Sequence, residues 1–61
     1  MNDYMEQYIK STINYLKTFE TSLKMAALKN DGQIDKQEQK ILNKATKLTD
    51  RYIDDLDNLI D

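Results

Sequence analysis

A chain of 61 residues with 9 basic and 11 acidic side chains, net charge -2, has room for one domain, and at this size it buries only about 60% of its unfolded surface on folding. It contains no cysteine and no histidine, which excludes disulfide staples and thiolate chemistry and removes the commonest general base and zinc ligand together. The near-balanced charge gives no basic footprint for a nucleic acid, and no apolar run approaches the ~20 residues that span a bilayer.

The segment Met1-Asn2-Asp3-Tyr4-Met5-Glu6 is acidic where a secretory signal would be basic and then apolar. The expected location is therefore the cytoplasm, with signal-free export left open. The same residues start a helix. Asn2 or Asp3 supplies the cap, Glu6 follows Asp3 by three, and acids in a first turn suit the positive end of the helix dipole. Met5, Ile9, Leu16, Phe19, Leu23 and Ala26 then recur at three-four spacing, with Thr12 interrupting the seam and Ile13 beside it. Lys10, Lys17 and Lys24, seven apart, mark the face expected to be solvated. Tyr8 and Tyr15 run along one flank of the seam, with Tyr4 a turn before Tyr8, and widen the apolar surface beyond what one partner helix covers. A helix over about 3–30 would be a rod of roughly 40 Å.

Lys29 to Glu38 holds the only glycine, and the chain has no proline. Gly32 is suited to the position just past a helix end, where it enters the left-handed region without steric cost and its amide closes the last turn. Asp35 then caps the next helix, and Glu38 three residues on completes a capping box. The turn is expected at 31–34, with Ile34 tucked inward.

The residues from Asp31 to Glu38 also resemble the second half of an EF-hand calcium loop, with glycine at the bend, isoleucine two places later and an acid at the twelfth position. What the resemblance implies is a calcium site on Asp31, Asp35 and Glu38 with the Gln33 carbonyl. The family's first and third ligand positions fall on Ala27 and Lys29, so the first half of the ligand set is missing. The residues themselves read as a capped helix-helix turn with no metal and no cofactor.

A second helix is expected over about 35–60. Ile41, Ala45, Leu48, Tyr52, Leu56 and Leu59 form its main stripe, and Leu42, Thr49, Ile53 and Ile60 a second one beside it. Two rods of equal length joined by a short turn make an antiparallel hairpin, a single all-α domain over 1–61. The apolar face is widest near Ile53, Leu56, Leu59 and Ile60. With Tyr8, Tyr15, Leu16, Phe19 and Tyr52 it is the surface expected to meet another protein or a second copy, as a four-helix bundle or a mixed assembly. Charge is sorted along the rod. Lys24, Lys29, Lys36, Lys40, Lys44 and Lys47 gather at the turn end, and Asp3, Glu6, Asp50, Asp54, Asp55, Asp57 and Asp61 at the other.

Paired carboxylates such as Asp54 and Asp55 lack the concave, partly dry site that acid-base chemistry needs, so neither catalysis nor a small-molecule substrate is expected. The expected function is a non-enzymatic interaction module: an adaptor, assembly factor or secretion-type chaperone. In size and outline the chain is similar to small hairpin subunits and co-chaperones of bacterial secretion systems, and its richness in lysine, asparagine and isoleucine suits a low-GC bacterial gene. The alternatives are a self-assembling structural homodimer or filament subunit, and a calcium-responsive hairpin.

Overall fold

The computed structural model describes residues 1–60; Asp61, the last of the acidic residues, lies outside the described residues. Helix α1 runs Asp3–Leu28 and helix α2 runs Lys36–Leu59. They pack against each other along a body of 46 × 17 × 9 Å. The fold is the all-α hairpin.

Each helix end is closed by its own residues. The Asn2 Oδ1 accepts from the Met5 amide at 2.8 Å, which makes Asn2 the cap of α1 and leaves Asp3 and Glu6 in the first turn. At the turn, the Gly32 amide donates to the Leu28 carbonyl at 2.8 Å. Among the described residues Gly32 alone has a positive φ, +75°, and a Cβ there would meet no atom within 4 Å. Only the backbone conformation requires glycine. Gly32→Ala is expected to cost about 1–2 kcal/mol, the penalty for placing a Cβ in the left-handed region, measured by denaturant unfolding.

Asp35 opens α2 with a complete capping box. Its Oδ1 accepts from the Glu38 amide at 2.8 Å, and the Glu38 Oε1 accepts from the Asp35 amide at 3.0 Å. The first helix ends two residues before the expected 30, because the turn has bonds of its own: the Asp31 Oδ1 accepts from the Gln33 amide at 3.0 Å. A short carboxylate that offers the backbone such a partner competes with helix continuation.

Antiparallel order follows from what lines the grooves between the helices. Leu23, Ala26 and Ala27 share one with Glu38, Ile41 and Leu42, and Glu20, further back along α1, reaches Asp50, further on along α2. The seam on α1 consists of Glu6, Ile9, Ile13, Leu16, Glu20, Leu23 and Ala27, the strict three-four alternation of a narrow contact stripe. On α2 it is Glu38, Leu42, Ala45, Thr49, Ile53, Leu56 and Ile60. Ile13 and Leu42 are its buried apolar residues, and no side chain among the described residues is fully enclosed.

This corrects the expected stripes. The second stripe of α2 faces α1, whereas Ile41, Leu48, Tyr52 and Leu59 of the expected main stripe are exposed, as are Met5, Phe19 and Ala26 on α1. The physical reason is size. Ala27, Ala45 and Thr49 let the helix axes approach, which a seam of Phe19, Leu48 and Tyr52 would hold apart. Thr49 is buried without cost to its hydroxyl, which donates to the Ala45 carbonyl at 2.7 Å. The same rotation places Lys10, Lys17 and Lys24 beside the seam instead of opposite it. All three are exposed, and the Lys10 Nζ lies 3.8 Å from the Glu6 carboxylate one turn back.

Candidate interaction surface

The two sides of the hairpin are chemically unlike. On one side, Ala26 of α1 and Ile41 of α2 line the same apolar groove of about 240 Å³. Residues seven apart stay near one line of a helix, so Met5, Phe19 and Ala26 run along α1 on that side, and Ile41 and Leu48 along α2. Tyr52 stands one turn beyond Leu48, and Leu59 two turns beyond Tyr52. Leu48 is 71% exposed, Leu59 59% and Tyr52 55%. On the opposite side, Lys17, Thr21 and Lys24 face Gln39, Asn43 and Thr46 across a polar groove.

The residues singled out in the sequence divide between seam and surface. Leu16, Ile53, Leu56 and Ile60 are half-buried against the other helix, so the tail is partly enclosed by the hairpin itself. Phe19, Tyr52 and Leu59 lie on the open apolar face, and Tyr8 and Tyr15, both more than three-quarters exposed, form its rim next to the Phe19 line. Ile41, Leu48, Met5 and Ala26 complete the face. Three-four spacing puts them in the seam; the breadth of the apolar arc is the signal in the sequence that part of it lies outside.

The turn carboxylates are occupied with backbone. Asp31, Asp35 and Glu38 each accept an amide hydrogen bond within the turn and first helical turn, and among the described residues no three acidic side chains are grouped to hold a metal ion. Millimolar calcium is expected to leave the melting curve unmoved, since a ligand bound by the native state alone would raise it.

One titrating group stands out at the seam. Desolvation raises the Glu20 carboxyl above the ordinary glutamate range, and the neighbouring Asp50 carboxyl acts in the same direction. A carboxyl raised by folding contributes stability that is fully present below its unfolded value and is lost as pH rises through the folded value. Glu20→Gln is expected to melt higher than the parent at neutral pH, with the difference closing toward about pH 4. Thermal melts across that range check it.

No helix among the described residues is long and apolar enough to cross a membrane. Comparison with protein-family models, with curated proteins and with solved structures finds no match.

Proposed function

We propose that this protein is a non-enzymatic interaction module of the cytoplasm, an adaptor or assembly factor whose open apolar face docks a helical partner, either another protein or a second copy of itself. The observation that carries the reading is the single-layer build. Domains bury their apolar stripes between two packed layers, and this hairpin is one layer, 9 Å through its Cα atoms, with Phe19, Ile41, Leu48, Tyr52 and Leu59 exposed. Exposed apolar surface of this continuity marks a binding surface or an aggregation liability. The opposite side, with Lys17, Thr21, Lys24, Gln39, Asn43 and Thr46, is polar and offers no such surface.

A photo-crosslinking residue at Leu48 is expected to yield covalent adducts in cells, and the same residue at Thr21, on the polar side, none. Equal yields from both positions, or none from Leu48, would remove the reading.

A further inference from the structure

We infer that the occupant of the apolar face is a second copy of this chain, laid across the first with its turn at the opposite end to form a four-helix bundle. The inference rests on the face being a docking surface and adds the partner and its direction.

Surface area supports a partner of this size. A compact monomer of 7.2 kDa exposes about 4,100 Å² by the mass scaling of globular proteins; this chain exposes 5333 Å². The excess of roughly 1,200 Å² per chain is what one protomer gives to an obligate homodimer, whose interface runs upward from about 2,000 Å² in total.

Charge selects the direction. Two hairpins stacked face to face are related either by a dyad along the rods, which sets turn against turn, or by one across them, which sets each turn against the other copy's termini. The first brings Lys29, Lys36, Lys40 and Lys44 onto their own counterparts, and Asp54, Asp55 and Asp57 onto theirs, like charges that repel. The second matches a basic end to an acidic end twice. The dyad then passes the middle of α1, between Tyr15 and Leu16, which lies level with Thr49 and Asp50 of α2. About that axis Lys44 of one copy comes level with Asp55 of the other, and Lys47 lies within one helical turn of the other's Asp54.

The apolar lines have the same symmetry. Positions 5, 12, 19 and 26 of α1 are disposed evenly about the middle of Asp3–Leu28. The crosswise dyad therefore sets Met5 opposite Ala26 and Phe19 opposite Thr12, large against small, which is how facing layers interdigitate. Leu48 and Tyr52 straddle the axis on α2. Asp55, which continues the Ile41–Leu48 line as a carboxylate, arrives beside Lys44 and Lys47 of the second copy.

The test uses the full chain carrying Gln33→Cys, a position exposed in the turn of a protein without other cysteines. The purified protein is sedimented at micromolar concentration, and the cysteine is spin-labelled for a distance measurement by pulsed electron resonance. A dimer is expected, with the two labels separated by a distance comparable with the 46 Å rod. Leu48→Asp is expected to weaken it about a hundredfold or more, each dimer losing two buried leucines. Labels within about 20 Å of each other, the reach of two turns on adjacent helices, would overturn the crosswise arrangement. A folded monomer would overturn the second copy as occupant, while adducts from Leu48 alone would still support a docking face for another protein. Loss of both the dimer and those adducts would end the reading of the face.

Discussion

Leu42→Ala is expected to abolish cooperative folding. Leu42 and Ile13, 9% and 8% exposed, are the buried apolar residues among those described, so little else holds the helices in register. Truncating a buried leucine costs about 2–5 kcal/mol. At 0.05–0.15 kcal/mol per residue, 61 residues carry about 3–9 kcal/mol in all, and a domain with no fully enclosed side chain among its described residues belongs at the low end. The measurement is the thermal transition followed by far-ultraviolet circular dichroism. In the variant it should broaden into a gradual loss of helix or fall by roughly 10–30 °C. Met25→Ala is the control. Met25 is 66% exposed on the back of α1, and its loss should change stability by no more than about 0.5 kcal/mol. If both variants melt like the parent, the seam described here is not the one that holds the protein.

That seam marks the limit of what the sequence makes legible. The helices, their caps and the turn are local chemistry. A lone glycine, an Asn2 or Asp35 that accepts its own helix's amides and a Glu38 at the right spacing act within a few residues of themselves, and the structure has them where the chain order implies. The end of α1 moves by two residues because Asp31 bonds to the turn. The phase of contact between the helices is a different kind of quantity. Periodicity locates the centre of an apolar arc, and on α1 that arc stretches from the Tyr8 and Tyr15 line through Phe19 and Leu16 to Ile13. A helix with a single neighbour centres its seam on the arc. A helix with two neighbours uses one edge of the arc for each, so the first neighbour takes the edge and the strongest residues are left in between. Three-four spacing puts Ile41 and Leu48 in one stripe with Ala45, but only Ala45, with Thr49 of the neighbouring stripe, is small enough for close approach and lies inside. Side-chain volume, which apolar counting ignores, decides between the two.

The melting temperature is expected to rise with protein concentration, by about 6 °C for each tenfold increase. If the hairpins fold as a pair, unfolding releases two chains, and a tenfold change in concentration shifts the balance by about 1.4 kcal/mol. Two chains of 61 residues absorb roughly 85 kcal/mol on melting, and the ratio of these quantities sets the slope. A monomeric hairpin has no such slope, because its unfolding changes no particle number. The double variant Phe19→Asp, Leu48→Asp separates the contributions. Both residues are largely outside the seam, 45% and 71% exposed, so the hairpin contact survives while the apolar face is charged. It should melt lower than the parent at every concentration and show no slope. A parent whose melting temperature is constant under dilution, and which the double substitution leaves unshifted, would mean that the face contributes nothing to the folded state, and the stability of a one-layer fold would have to come from the seam alone.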